Sequence, residues 1–426
     1  MGMIVDAPRE VAERPATHPA SKRWILLAGF LLSSMGSGIS QIGIGPIIGD
    51  VAHTYGISLG SASFAAMGMM IFVMAIGVTI SGYLADRIGV LSVLLTAQLA
   101  FIVSYLLLPL IAHSFEAFVA LRLVQGLAAA GVAGAVTPAI ALWFPPNEIG
   151  RAMGVQGIGM PVGMLIGLLV VPRLVASVGD WPHALSFLSI AGVIALVPTL
   201  YVALRAPLPV VVKAPKAVRR PLADVVRLPI FRYGIIVSIL LFVTGFTFND
   251  LVPGFLAVAP PVGLGLGPVQ AGNFVSLIMW SGLIAPALAG FLVDRVFSGN
   301  PKKVMVIGWT LTLLPPLVVM PFVHRSSPLL ITLFVFGGFA QPIVSIALMS
   351  TAARVFATDL VGRVAGMWLS ISFFAGAFGT MLGSYALHVS GTYLLPISAV
   401  FVGNVLGILH TTLSHTLADA VQEDIR

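Results

Sequence analysis

Two ionisable residues, Arg122 and Asp250, stand inside long apolar stretches of this chain. An ionised side chain at membrane depth is costly, so it faces a partner or a watery cavity. Arginine stays charged and offers a donor fork that fits a carboxylate. Arg122 could therefore bind an anion or serve ion coupling; it could equally fix helix packing. A carboxylate such as Asp250 can carry a proton and link its gain and loss to a change of shape. Uncharged polar residues accompany the pair. Ser37 and Gln41 share one helical face with Ser33 and Ser40. Gln341 and Ser345 offer a matching face later in the chain. Such residues can hydrogen-bond a polar substrate, and small ones also let membrane helices approach closely.

The elements that hold these residues are legible from composition. Of 426 residues, 58% are hydrophobic and only 9% charged, against roughly 25% charged in soluble domains. Twelve apolar stretches, each near the ~20 residues a span needs, fit between residues 24 and 416. None alternates like a barrel strand. The expected fold is an all-α membrane protein of twelve transmembrane helices in two six-helix halves. The divisions are a tail over 1–23, a bundle over 24–205, a basic linker over 206–231, a bundle over 232–416 and a tail over 417–426. The linker carries Pro207, Pro209, Lys213, Lys216, Arg219 and Arg220. At about 1.5 Å per residue, Arg122 and Asp250 fall at similar depth on opposite halves. A helix break at Asn249–Gly254 would instead leave Asp250 solvated at the mouth.

All but three of the 22 Lys and Arg (Arg122, Arg173 and Arg325) fall in the tails or on one set of loops. That bias predicts an inner-membrane protein with both termini cytoplasmic. The net charge of +7 follows from this asymmetry, with no basic patch interleaved with aromatics to suggest nucleic acid. The chain has no cysteine, which removes disulfides, thiol catalysis and Cys-ligated metals. The scattered histidines show no metal spacing, and no Walker loop marks ATP as an energy source. Neither a cofactor nor an enzymatic reaction is expected.

A repeat runs through the charged loops. Gly82-Tyr83-Leu84-Ala85-Asp86-Arg87 returns as Gly290-Phe291-Leu292-Val293-Asp294-Arg295, and Gly150-Arg151-Ala152 as Gly362-Arg363-Val364. Both halves run in the same direction, the pattern of a parallel repeat with a substrate site between halves. Gly82-x-Leu84-Ala85-Asp86-Arg87-x-Gly89 resembles the loop signature between helices two and three of the major facilitator superfamily. Arg122-Leu123-Val124-Gln125-Gly126 is similar to its fourth-helix signature, and Gly157-x-Gly159-x-Pro161-x-Gly163 loosely to that of its fifth helix. The stretch from Trp143 to Gly154 is similar to cyanate-type and organic-acid branches.

The resemblance implies alternating access, with helices one, four, seven and ten lining the cavity. It assigns gating to Asp86, Arg87, Asp294, Arg295, Arg151 and Arg363, each Asp facing the N-terminus of a helix in the other half. Nitrate is disfavoured, because spans 59–84 and 268–293 hold no Arg or Lys. The expected function is proton-coupled uptake of a small organic acid or related anion by a monomer in the lipid bilayer. Two readings stay open beside it: a proton-coupled efflux antiporter, and a membrane assembly or sensor protein that kept the fold without transport.

Overall fold

The computed structural model describes residues 20–205, 226–297, 300–324, 327–356 and 358–414. Most of the expected tails and linker therefore lies outside the described residues. Among those described, 11 helices are long and apolar enough to cross a membrane, and the shorter Val90–Leu106 joins them. In chain order the first six are α1 (Ser21–Tyr55), α2 (Leu59–Ile88), α3 (Val90–Leu106), α4 (Phe115–Trp143), α5 (Glu148–Val178) and α6 (Trp181–Arg205). The second six are α7 (Pro229–Ala257), α8 (Gly267–Phe291), α9 (Pro301–Val319), α10 (Ser327–Val355), α11 (Val364–Ser390) and α12 (Leu394–Leu413). Helices satisfy their own backbone groups, which lipid cannot do.

Local chemistry sets where spans begin and bend. Ser58, Ser114 and Asp180 accept from backbone N–H groups of the first turns of α2, α4 and α6, the usual N-cap arrangement. In α1 the helix passes through a 3-10 turn at Gly45–Ile47, where Pro46 sits. In α2 a π turn spans Phe64–Gly68.

Packing repeats the sequence symmetry. In the first half α1 lies on α5 and α6, α4 on α2 and α3, and α3 on α6. In the second half α7 lies on α11 and α12, α10 on α8 and α9, and α9 on α12. Even the tight crossings correspond. A Cβ on Gly126 would lie 2.5 Å from the Met70 carbonyl, and one on Gly338 2.4 Å from the Ile278 carbonyl. Only glycine permits these approaches.

The halves meet at one end. We call the end carrying Arg87, Arg151, Arg205 and Arg295 the basic end, and the other the distal end. At the distal end one apolar core includes Ile47, Leu168, Val252 and Val275, so it draws on both halves. Toward the basic end the cores are separate: one holds Leu94, Trp143 and Val202, the other Trp309, Val344 and Trp368. Gly150, Gly154, Gly157, Gly290 and Gly366 have open space where a Cβ would stand. A cleft between the halves thus opens toward the basic end.

Inside the first half, Gln98 Nε2 shares its two hydrogens among Ser33 Oγ, the Ala195 carbonyl and Thr199 Oγ1, all at 2.9–3.0 Å. This ties α3 to α1 and α6. Gln98→Leu would leave buried acceptors without donors, at roughly 1–3 kcal/mol. We expect a lower unfolding temperature in detergent, read by intrinsic fluorescence; an unchanged value would mean the network is dispensable.

Candidate functional site

Asp250 lies in the distal seam, where α2 of the first half meets α7 and α11 of the second. Helix α7 continues through Pro253 to Ala257, so the break that would have solvated Asp250 at the mouth does not occur. The residue is 5% exposed. Ser63 Oγ stands 3.0 Å from both Oδ1 and Oδ2, and Ser384 Oγ donates to Oδ2 at 3.1 Å. Hydroxyls from both halves therefore hold one carboxylate, and no basic side chain pairs with it among the described residues. Toward the rim, Ser58 Oγ lies 2.7 Å from His388 Nδ1 and Ser61 Oγ 3.3 Å from it. Between these contacts the backbones nearly touch: a Cβ on Gly60 would fall 2.4 Å from the His388 nitrogen.

Arg122 is also buried, at 2% exposed, but inside the first half. Its Nε donates to the Ala66 carbonyl. One terminal nitrogen donates to Gln125 Oε1 at 2.7 Å and the other to the Ser40 carbonyl at 3.1 Å. Tyr105 donates to Ser40 Oγ at 2.6 Å, and one guanidinium nitrogen approaches the same hydroxyl at 3.5 Å. The fork is thus occupied by α1, α2 and its own helix, and Arg122 and Asp250 do not pair. Depth along the helix was readable from residue spacing; the direction of the side chain depends on which neighbours pack there.

The other candidates divide. Ser37 donates to the Ser33 carbonyl and, with Ser33, Gln98 and Phe101, lines a small cavity within the first half. The serine face of α1 therefore turns to α3 rather than to the cleft. Gln41 is 5% exposed, and its buried Oε1 has no hydrogen-bond partner among the described residues. Gln341 packs its amide over Gly245 of α7, and Ser345 is half-buried on the same helix.

At the basic end Asp86, Arg87, Arg151 and Arg295 are exposed. Arg87 lies over the Tyr83 ring at 4.6 Å and Arg151 over Trp24 at 5.1 Å, both within the first half. Among the described residues, Asp86 makes no hydrogen bond or ion pair with the second half. The side chains of Asp294 and Arg363 lie outside the described residues. Glu148, near the helix start expected to face the second-half Asp, pairs instead with Arg23 at 2.8 Å. Ser63, Ser384, Tyr105 and Gly60 were not foreseen as site residues. The cluster Ser58-x-x-Ser61-x-Ser63 opening an apolar span was the one available signal.

The model of the Major Facilitator Superfamily matches residues 26–295 and 254–419, and the chain belongs to that superfamily. It is 25% identical over 382 residues to a probable sugar efflux transporter of Helicobacter acinonychis (strain Sheeba), covering 85% of this chain and 87% of that one. It is 24% identical over 418 residues to the gallate transporter of Pseudomonas putida, covering 90% of each. Among solved structures, a bacterial homologue of the human lysosomal transporter Spinster, inward-facing and unoccupied, superposes with a TM-score of 0.70 at 13% identity. It covers 96% of this chain and 99% of that one, a likeness of fold. The protein is a multi-pass membrane transporter and not an enzyme.

Proposed function

We propose that the protein takes up a small organic acid together with protons by alternating access, and that Asp250 carries the proton. The observation behind this is the setting of Asp250: a buried carboxylate between the halves, held by hydroxyls and by no basic side chain among the described residues. Its surroundings change whenever the distal seam opens. A monocarboxylate crossing with one proton adds no net charge, so the route needs no free guanidinium. Gln41, with its unsatisfied Oε1, Gln341 and Ser345 supply polar contacts.

The basic end faces the cytoplasm of the inner membrane, and the bundles over 24–205 and 232–416 rock as bodies in a monomer. Asp86, Arg87, Asp294, Arg295, Arg151 and Arg363 close the basic end in the opposite state, the carboxylates at helix N-termini. The name of the gallate transporter, matched over nearly the whole chain, supports an acid as substrate. The name of the sugar efflux relative supports the rival, proton-coupled export.

Proteoliposomes with a pH-sensitive dye in the lumen separate the readings. Monocarboxylates, dicarboxylates, aromatic acids, cyanate, sugars and lipophilic amines are added outside in turn. Protein-dependent acidification of the lumen with one acid class is the expected result. Alkalinisation with sugars or amines would establish exchange for protons and overturn uptake. Silence with every solute would overturn proton-linked transport of these classes.

A further inference from the structure

Arg122 and Asp250 do not touch, yet one short segment of α2 touches both. Ser63 gives its hydroxyl to Asp250 across the seam, and Ala66, three residues on, gives its carbonyl to Arg122. The residues between belong to the π turn Phe64–Gly68. A π turn shifts the carbonyl register of a helix and recurs at functional sites. A side-chain donor inserted there stabilises such a distortion.

We propose that Arg122 is a positioning residue for the distal seam: by holding the Ala66 carbonyl it fixes the π turn, which aims Ser63 at Asp250. The remaining donors of Arg122 fasten this point to the first half. They reach Ser40 on α1 and Gln125 on α4, while Tyr105 on α3 closes the ring through Ser40. The rigid planar fork of arginine suits this bracing of several acceptors at once. A substrate ligand would keep a donor aimed into the cleft; this guanidinium is buried and engaged within its own half. The inference rests on the reading that the distal seam opens during transport. It does not require Asp250 to carry the proton.

The natural absence of cysteine gives a clean reporter. Ser58→Cys with His388→Cys places one thiol on each of two residues whose side chains now meet, Ser58 Oγ standing 2.7 Å from His388 Nδ1. A short thiol-specific cross-linker then reports closure of the seam in purified protein, without substrate or pH gradient. Arg122→Gln and Ser63→Ala are each expected to slow cross-linking about tenfold, the loss of a hydrogen bond to a charged group. Together they should slow it no further than either alone, because they act on one contact. Ser63→Thr should restore the rate. Tyr105→Phe, which removes only the hydroxyl, should act in the same direction to a smaller degree and stay non-additive with Ser63→Ala. That pair carries the test if Arg122→Gln does not fold.

An unchanged rate in Arg122→Gln or Tyr105→Phe, or multiplied effects in either double variant, would overturn the proposal. Failure of proton coupling in the dye assay with these cross-linking results intact would strike the Asp250 reading alone.

Discussion

Asp250→Asn is expected to abolish proton-driven accumulation while leaving solute exchange running. Asparagine keeps the shape of aspartate. Its Oδ1 can accept from one of Ser63 and Ser384, and its amide can donate to the hydroxyl oxygen of the other. The seam can therefore still close and open. What disappears is the carboxyl group that can take up and release a proton at this point. One pH unit corresponds to about 1.36 kcal/mol per proton, so a gradient of two units supports roughly 100-fold accumulation in the parent. The variant should show none.

Counterflow, in which labelled solute enters against unlabelled solute at equal pH, should stay within a few-fold of the parent. Both rates are measured in the same proteoliposomes. Accumulation that survives in Asp250→Asn would place the proton elsewhere. Loss of both activities would make Asp250 a structural or substrate-binding group.

Much of this was legible in the sequence, for identifiable reasons. Helices follow from apolar length alone, and the parallel repeat followed from two charged loops recurring half a chain apart. Asp250 stood out as a single carboxylate in an apolar run, with a solvated helix break at Asn249–Gly254 as the alternative reading. Its partners did not. Ser63 lies 187 residues away in the other half, and serines in membrane spans serve helix contact as often as chemistry.

The role of Arg122 was harder still. Spacing along a helix gives depth, but the azimuth of a side chain is set by neighbours. Here α2 offers a carbonyl through a π turn at Phe64-Ala65-Ala66-Met67-Gly68, a segment without proline. The serine face of α1 left substrate contact and helix contact both open for the same reason: periodicity shows that a face exists, not which helix it meets. Asp86 and Arg87 raise a different difficulty. Their expected contacts belong to the state in which the basic ends close, and one sequence serves both states.

The distal seam also makes a steric prediction that separates conformational balance from fold stability. Gly60 of α2 crosses α11 and Gly272 of α8 crosses α5, at matching places in the two halves. A Cβ on Gly60 would stand 2.5 Å from the Ser384 carbonyl, and one on Gly272 2.0 Å from the Leu168 carbonyl. Both obstacles are backbone atoms of the opposite half, so they move away when the distal seam opens. Gly163 is different. Its Cβ would stand 2.0 Å from the Met35 carbonyl, but α1 and α5 belong to the same half and stay together in either state.

Overpacking costs typically about 1–3 kcal/mol. Gly60→Ala and Gly272→Ala are therefore expected to shift the balance toward the distal-open state by roughly 5- to 150-fold each. Labelling of a single Ser384→Cys thiol by a membrane-impermeant maleimide should accelerate accordingly, with little change in unfolding temperature. Gly163→Ala should do the reverse, lowering the unfolding temperature and leaving labelling unchanged. If Gly60→Ala instead destabilises the fold without exposing position 384, the crossing at α2 and α11 is a permanent packing contact. The first half and the second would then have to part along some other line.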